Sequence, residues 1–322
     1  MENTPDLVSE ALQQVRLSGA VLFCIDLGAP WCLQTGGNLG LPPPPRQVTL
    51  FHVVLEGECW VSLCDGRPRR LQTGDAVILP RGDSHWLGDR ADCVPVPAAE
   101  LYGDTPLWEI PHLLRWGGDG AHTRLLCGFL GYERAAFRPL YDALPPMFHV
   151  HLGTGSQPPL DAMLRYAEDE VMARRPGSSS VRLRMTELLF VESLRRYIAD
   201  LPPDEVGWLA AVRDPLVGRA LALLHAAPTR AWNVELLARA AATSRSSLAK
   251  RFKQIVGEPP IQYLTRWRMS LAARRLRESR ESIAAIAEAT GYASPAAFQR
   301  AFKRQMGSTP AQWRHQREPA TG

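Results

Sequence analysis

The chain has 322 residues, of which 45% are hydrophobic and 22% are charged. At roughly 100–200 residues per domain this length predicts two domains, and the composition excludes wholesale disorder. No run of about 18 apolar residues is present, which excludes a transmembrane helix, so no membrane partner is expected. The first residues lack the basic and apolar segments of a secretory signal, which predicts a cytoplasmic protein.

Charge is distributed unevenly along the chain. Residues 215–322 contain 18 Lys and Arg against 6 Asp and Glu, a net charge of +12. The corresponding numbers for residues 1–214 are 19 and 27, a net charge of −8. Because a basic segment of this length indicates a polyanionic partner, only the C-terminal third is expected to bind a polyanion.

The segment from about Val21 to Phe148 has the pattern of β-structure. Its short apolar runs, among them VTLFHVVLEG and DAVILP, are interrupted by Gly, Pro and Asp, which is typical of an antiparallel sandwich or barrel. Further on, apolar residues recur at helical spacing and form a stripe over residues 181–198. The sequence thus predicts an N-terminal domain of residues 1–200, with a β-barrel and flanking helices, and a linker of residues 201–214.

The cysteines all lie in the predicted N-terminal domain. They are Cys24, Cys32, Cys59, Cys64, Cys93 and Cys127. No two of them have the CxxC spacing of a zinc ribbon or a thioredoxin-like pair. In a cytoplasmic protein, reduced thiols are expected rather than a disulfide framework.

Residues 215–322 contain an internal repeat. SRSSLAKRFKQIVGEPPIQYL, which starts at Ser244, aligns with SPAAFQRAFKRQMGSTPAQWR, which starts at Ser294. Each copy predicts a helix, a short turn and a second helix that begins at an N-capping serine. Gly291 suits the left-handed conformation of the second turn. The first turn has Ala241–Thr243 instead, so a non-glycine residue is expected to adopt the strained conformation there.

The second helix of each copy has an apolar face and a basic face. Leu248 and Phe252 in the first copy, and Phe298 and Phe302 in the second, have the i, i+4 spacing of core residues. The opposite faces carry basic and small residues, which suits a helix that enters the major groove of DNA. A helix over residues 261–278 is expected to hold the two units apart at about the 34 Å repeat of successive major grooves.

From these stretches, with WNVELLARAA and SIAAIAEATGYAS, residues 215–314 resemble the DNA-binding domain of AraC/XylS-family transcriptional regulators. The resemblance implies an all-α domain with two helix-turn-helix units, in which the N-terminal part of each second helix contacts bases. The residues at those positions are Arg245, Ser246, Ala249, Lys250, Pro295, Ala296, Gln299 and Arg300. Lys250 and Arg300 are suited to guanine and Gln299 to adenine. Phosphate contacts are expected from Ser244, Lys253, Ser294, Lys303 and Arg304.

The N-terminal domain resembles the cupin-type sensor domain of a subset of the same family, on the residues FHVVLEGECWV and GDAVILPRGDSHWL. Metal-dependent cupins carry His-x-His in the first motif, whereas this chain has His-Val-Val from His52. His52 and His85 are expected close together inside the barrel. Their role is structural or effector-contacting, or they bind zinc together with a thiol. The candidate thiols are Cys24, Cys93 and Cys127. The same three thiols are the candidates for redox sensing, and the alternative is that they are buried and inert.

Together these features predict an α+β protein with two domains, a cupin-like β-barrel with flanking helices and an all-α domain of residues 215–322. The expected function is a sequence-specific bacterial transcriptional activator that a small molecule or an oxidant controls. The resemblance implies promoter DNA and RNA polymerase as partners. It also implies a homodimer, whose seam is the stripe of residues 181–198 unless that stripe packs on its own domain. The alternative, a cupin-type metal enzyme with a helical appendage, requires a full set of metal ligands, so no enzymatic activity is expected.

Overall fold

In the computed structural model the described residues are 6–13, 17–36, 46–103, 105, 112–133, 138–153, 158–173, 175–202 and 204–315. They form two compact units. The β unit comprises residues 17–133 and 144–200, and the helical unit comprises residues 1–16, 134–143 and 201–322, as far as these are described. Among the described helices, none has the length and apolar content that crossing a membrane requires.

The described part of the chain contains eleven strands and thirteen helices. The strands are β1 (Leu17–Gly28), β2 (Cys32–Thr35), β3 (Arg46–Glu56), β4 (Glu58–Leu63), β5 (Arg69–Gln72), β6 (Asp75–Leu79), β7 (His85–Gly88), β8 (Val96–Pro97), β9 (Leu113–Gly117), β10 (His122–Glu133) and β11 (Phe148–His151). The helices are α1 (Leu7–Gln13), α2 (Ala99–Tyr102), α3 (Arg138–Asp142), α4 (Pro158–Ala173), α5 (Ser178–Asp200), α6 (Trp208–Arg213), α7 (Pro215–Ala226), α8 (Val234–Ala240), α9 (Arg245–Val256), α10 (Pro260–Glu278), α11 (Ile283–Ala289), α12 (Pro295–Met306) and α13 (Pro310–His315).

The strands of the β unit form two sheets. One has the order β11-β6-β3-β10-β1-β9 and the other the order β5-β4-β7-β2-β8. Because side chains alternate along a strand, every second residue enters the core. Leu50 and Val54 of β3, Leu125 and Phe129 of β10, and Leu87 of β7 belong to one apolar cluster that draws on both sheets. The prediction of a sheet-rich N-terminal domain and a helical C-terminal domain is confirmed.

Helix α5 carries the apolar stripe predicted over residues 181–198. Met185, Leu189 and Leu194 are buried, and the helix packs against β1 of the same unit. The stripe therefore packs on its own domain. A dimer seam on α5 would have to use its other side, where Leu188 is 45% exposed.

The helical unit includes residues on the N-terminal side of residue 215. Helix α6 lies within the predicted linker 201–214 and packs against α7 and α9. Helix α1 contacts α7. The C-terminal third of the chain thus completes its core with α1 and α6, which no periodicity in residues 215–322 reveals.

The expectation that all six cysteines are reduced is wrong for one pair. Cys32 and Cys93 form a disulfide, with 5.9 Å between their Cα atoms. The pairing of β2 with β7 places Cys32 opposite Gly88, and the chain returns to this point through residues 89–92. This proximity arises from strand register and a turn, so the cysteine spacing does not show it. The disulfide also removes Cys93 from the free thiols that zinc would require.

Candidate functional site

The helical unit contains two helix-turn-helix units, α8 with α9 and α11 with α12. We call α9 and α12 the reading helices. Ser244 and Ser294 cap them, each accepting a hydrogen bond from the backbone N–H three residues later. Gly257 and Gly307 end them in the left-handed conformation, with φ of +86° and +79°. The two copies of the sequence repeat therefore build the same local structure.

The turns between the helices also match. Gly291 has φ of +82°, as predicted, and Ala242 is the non-glycine residue with φ of +53° in the first turn. In both turns the next residue donates its backbone N–H to the carbonyl oxygen five residues earlier, at 2.9 Å. Because a left-handed conformation is unfavourable for any residue with a Cβ, the first turn is strained by about 1–2 kcal/mol.

Buried apolar residues set the rotation of each reading helix about its own axis. Leu248 and Phe252 of α9, and Phe298 and Phe302 of α12, are completely buried. Phe302 also makes an edge contact with Trp313 of α13, with 5.9 Å between ring centroids. Since one face of each reading helix is held in the core, the opposite face is presented to solvent.

The residues predicted to contact bases lie on these outer faces. Seven of the eight are exposed, and Ala249 is half-buried. The five residues predicted to contact phosphates are also exposed. The side chains of Lys250, Gln299 and Arg300 make no hydrogen bond or ion pair with any other residue that the structure describes. Their polar groups are therefore available to a ligand.

Some of the predicted contact residues have intramolecular partners. The Ser244 hydroxyl lies 3.1 Å from the Ser246 hydroxyl and 2.9 Å from that of Ser247, in addition to its capping bond. Nη1 of Arg245 lies 2.5 Å from Oε1 of Glu235 on α8. A DNA contact by Ser244 or Arg245 therefore competes with an existing interaction. The role of Glu235 is not predictable from the sequence, because an ion pair between helices has no local pattern.

Arg268 of α10 links the two helix-turn-helix units. Its Nε donates to the carbonyl oxygen of Pro228 at 2.6 Å and its Nη2 to that of Arg230 at 2.9 Å, both in the loop after α7. Its guanidinium also lies over the ring of Tyr292, in the second turn, at 6.0 Å from the centroid. A Cβ on Gly291 would lie 3.0 Å from this guanidinium. Arg268 therefore joins the loop that precedes the first helix-turn-helix unit to the turn of the second.

Three of the polar residues predicted in the barrel meet in its core. His52 lies opposite Cys127 in the pairing of β3 with β10, and its Nδ1 is 3.0 Å from the Cys127 sulfur. Its Nε2 is 2.9 Å from Nε2 of His85, on the other sheet. The prediction that His52 and His85 lie close together is confirmed.

The hydrogen bonds define the protonation of this chain of residues. Nδ1 of His85 lies 2.9 Å from the carbonyl oxygen of Asp83, which only accepts, so Nδ1 carries the proton. Nε2 of His85 then accepts from His52, and Nδ1 of His52 accepts from the Cys127 thiol. Burial lowers the pKa of His85 to about 4 and that of His52 well below its usual value, so both imidazoles are neutral. We call Cys127, His52, His85 and Asp83 the polar relay.

This geometry does not fit a zinc ion held by all three side chains. Cys127 and His85 contact opposite edges of the His52 ring, whereas zinc ligands converge on one point. Among the described residues, no group of three or more His, Cys, Asp or Glu side chains is arranged to hold a metal ion. Burial also raises the pKa of the Cys127 thiol well above its usual value, and zinc binds the thiolate.

The other two candidate thiols are not part of the relay. Cys93 is in the disulfide with Cys32. Cys24 lies on β1 between Phe23 and Ile25, which line the barrel interior, so its side chain points to the opposite face. Burial is the main cause that raises its pKa to about 12. A thiol in this state is a poor nucleophile, which supports the interpretation of Cys24 and Cys127 as inert.

The barrel encloses a cavity of about 60 Å³ beside the polar relay. Its lining comes from both sheets and from α2, and is mainly aliphatic and aromatic. Trp31 contributes to this lining and is 4% exposed, but its indole N–H has no hydrogen-bond partner among the described residues. The position of Trp31 at the cavity was not predicted from the sequence, because this residue lies between two strands and outside both cupin motifs.

Two helix-turn-helix units with exposed basic reading helices, and a separate barrel with an interior cavity, define a DNA-binding protein with a domain suited to binding a small molecule. A family model described as Cupin matches residues 6–199, and one described as a Helix-turn-helix domain matches residues 237–316. The chain belongs to the AraC-like transcription regulators with an N-terminal cupin domain, and it is a DNA-binding transcriptional regulator.

Its similarity to curated relatives covers most of the chain. It is 35% identical to a putative AraC-like transcription regulator of Streptomyces antibioticus, over 88% of this chain and 92% of the relative. It is 31% identical to the HTH-type transcriptional regulator AlkR of Acinetobacter baylyi, over 88% and 93%. It is 26% identical to the RCS-specific HTH-type transcriptional activator RclR of Escherichia coli, over 95% and 97%.

Proposed function

We propose that the chain activates transcription by reading promoter DNA with both reading helices, under the control of a signal that the cupin domain receives. The observation that carries this proposal is the matched pair of outer faces, on which the side chains of Lys250, Gln299 and Arg300 have no partner among the described residues. Base contacts come from the eight residues predicted for them, with specificity concentrated in these three side chains. Lys253, Lys303 and Arg304, together with the capping serines, contact phosphates.

The activator role, RNA polymerase and a homodimer belong to the same proposal. The name of the Escherichia coli relative describes an activator, which supports that direction of control. A homodimer would double the contacted DNA and increase avidity without new contacts. We assign residues 1–200 to the sensor, 201–214 to the linker and 215–322 to DNA binding, and we place the protein in the cytoplasm because its partner is chromosomal DNA.

The signal that we propose is a small molecule in the barrel cavity. The cavity is lined by both sheets and by α2, so an occupant would contact elements from across the β unit. An oxidant is the second candidate, since the name of the same relative refers to RCS. The pair that supports it is Cys32 and Cys93, because burial raises the pKa of the thiols of Cys24 and Cys127.

We propose no catalytic role for the barrel. The relatives named above are transcriptional regulators. In the polar relay every polar atom is bonded to its neighbour, and the two imidazoles are held neutral at opposite ends of one hydrogen bond. This arrangement stabilises the core rather than presenting ligands to a common centre.

Base reading is tested by comparing specific with non-specific DNA. Arg300→Ala or Lys250→Ala should weaken binding to the operator by roughly 1–3 kcal/mol and spare binding to unrelated duplexes. Lys303→Ala, on the same helix as Arg300, is the matched control. It should weaken binding to all duplexes and reduce the salt dependence of binding. Equal losses on every duplex for Arg300→Ala would contradict base reading. The operator itself is found by mapping the bound promoters across the genome.

A further inference from the structure

We propose that the barrel cavity binds an uncharged, mainly apolar molecule whose single hydrogen-bond acceptor receives the indole N–H of Trp31. This inference rests on the proposed role of the cupin domain as a sensor, and it defines the chemistry of the ligand. It follows from the lining, from the polar relay, from the unpaired N–H and from the size of the cavity.

The described lining disfavours a charged ligand. Among the described residues that line the cavity there is no Lys, Arg, Asp or Glu side chain. A carboxylate or an ammonium group would therefore lose its hydration without gaining a partner of opposite charge. Apolar side chains such as Leu33, Leu50 and Phe129 instead provide contacts for an aliphatic or alicyclic body.

The polar relay does not require a ligand. His52 and Cys127 both line the cavity, but both are hydrogen-bonded within the relay. Cys127 bonds to Nδ1 of His52 at 3.0 Å, and Nε2 of His52 bonds to His85 at 2.9 Å. His85 in turn donates to the carbonyl oxygen of Asp83 at 2.9 Å. A ligand that bonded to His52 would have to break one of these contacts. The relay thus adds a polarisable wall to the cavity and no free donor or acceptor.

Trp31 differs from the other polar side chains of the described lining: Thr35 and Tyr102 are only half-buried, whereas the indole N–H of Trp31 is buried. An indole nitrogen is a donor only, and burying it without an acceptor is unfavourable. At 4% exposure, the Trp31 side chain is nine-tenths buried, and its N–H has no partner among the described residues. A carbonyl, ether or hydroxyl oxygen on the ligand would supply the missing acceptor. A hydrocarbon of the same shape would leave it unpaired.

The size of the cavity limits the ligand further. A water molecule needs roughly 10–15 Å³ of such space, so about 60 Å³ accommodates about four to six non-hydrogen atoms. Small ketones and alcohols with one short chain or one ring are of this size. Larger apolar molecules would extend beyond this space, because the cavity is partly open to solvent.

The test is calorimetric titration of the full-length protein with three small probes. Cyclopentanone has an acceptor and no charge, methylcyclopentane has the same number of non-hydrogen atoms and no acceptor, and pentanoate is charged. We expect cyclopentanone to bind about tenfold more tightly than methylcyclopentane, and pentanoate to bind weakest. Equal binding of ketone and hydrocarbon, tightest binding of pentanoate, or no binding of any probe would overturn the proposal.

A substitution tests whether the acceptor on the ligand receives its hydrogen bond from Trp31. Trp31→Phe removes the N–H and keeps an aromatic ring, and it should weaken cyclopentanone binding about tenfold while leaving methylcyclopentane binding unchanged. Trp86→Phe is the matched control, because Trp86 is also buried in the β unit but does not line the cavity. It should leave both probes unaffected. If Trp31→Phe weakens both probes equally, the N–H does not select the ligand. If that variant does not fold, the comparison of probes on the unaltered protein still decides the proposal.

The outcome is separable from that of the proposed function. DNA binding is measured in parallel, with and without cyclopentanone. Selective ketone binding without a change in operator affinity would support the site and remove its role as a sensor. Operator binding that depends on Arg300, without selective ketone binding, would support the regulator and remove the proposed ligand class.

Discussion

Nδ1 of His225 lies 2.8 Å from Oε2 of Glu10, although 215 positions separate the two residues in the chain. Nε2 of His225 lies 2.7 Å from the hydroxyl of Tyr263, which accepts a hydrogen bond from Trp208 at 2.9 Å. The ring of His225 stacks on Trp267, with 3.9 Å between centroids. Because Tyr263 donates its proton to Nε2, Nδ1 of His225 carries a proton and donates to Glu10. This buried network joins α1 and α6 to the core of the DNA-binding domain.

Removing the Glu10 carboxylate should destabilise the helical unit. In Glu10→Ala the buried N–H of His225 loses its acceptor, and we expect the free energy of unfolding to fall by about 1–3 kcal/mol. Glu288→Ala, an exposed residue of the same unit, is the control and should change stability little. Urea unfolding followed by tryptophan fluorescence measures both. A Glu10→Ala protein as stable as the control would show that the network contributes nothing.

The length of an isolated DNA-binding fragment should determine its stability. A fragment of residues 214–322 lacks Trp208 and leaves the hydroxyl of Tyr263 with one partner fewer. We expect this fragment to shift DNA with strong salt dependence, and to melt at a lower temperature than a fragment of residues 201–322. Gel shifts at several salt concentrations and thermal melting provide the two measurements. No binding at low salt would argue against DNA recognition by this domain.

The two turns should respond in opposite directions to exchange of Gly and Ala. Ala242→Gly relieves a left-handed alanine and should stabilise the protein by up to about 1 kcal/mol, less the entropy that glycine adds to the unfolded chain. Gly291→Ala should destabilise it by more than about 1 kcal/mol, because the new Cβ would also lie 3.0 Å from the Arg268 guanidinium and from Cα of Thr229.

The Gly291→Ala variant also tests the link through Arg268. If this contact sets the separation of the reading helices, the variant should lose more affinity for the two-part operator than for either half alone. Denaturant melts and gel shifts on whole and half operators distinguish the two effects. If the variant is less stable but keeps the unaltered protein's ratio of affinity for the whole operator to affinity for a half operator, Arg268 does not position the reading helices.

The polar relay should make the β unit less stable in acid. Burial lowers the pKa of His85 to about 4 and that of His52 well below its usual value, whereas both titrate near 6.5 in the unfolded chain. The unfolded state then binds more protons below pH 6.5, so stability is complete above that pH and decreases as the pH falls toward 4. The measurement is the melting temperature across this range.

A double variant identifies the groups that titrate. Replacing the pair by His52→Leu and His85→Leu should flatten the pH dependence between 6.5 and 4. His122→Gln, at an exposed position of β10, should retain it. An unchanged slope in the double variant would show that other groups take up the protons.

Features that depend on residues near one another in the chain were predictable before the structure was known. The caps at Ser244 and Ser294, the left-handed Gly291 and the buried pair Phe298 and Phe302 all arise within one or two helical turns. Because neighbouring backbone groups and a period of 3.6 residues govern them, their pattern is visible without a structure. The resemblance of FHVVLEGECWV and GDAVILPRGDSHWL to the cupin motifs led to the prediction that His52 and His85 lie in the barrel.

Tertiary structure alone decided which distant residues became partners. The Cys32–Cys93 disulfide depends on strand register and a turn, and the hydrogen bond of His225 to Glu10 depends on α1 joining the helical unit. The unpaired N–H of Trp31 is defined by what surrounds it in the folded barrel. Such contacts form only when segments far apart in the chain pack together, and one-dimensional spacing carries no record of that packing.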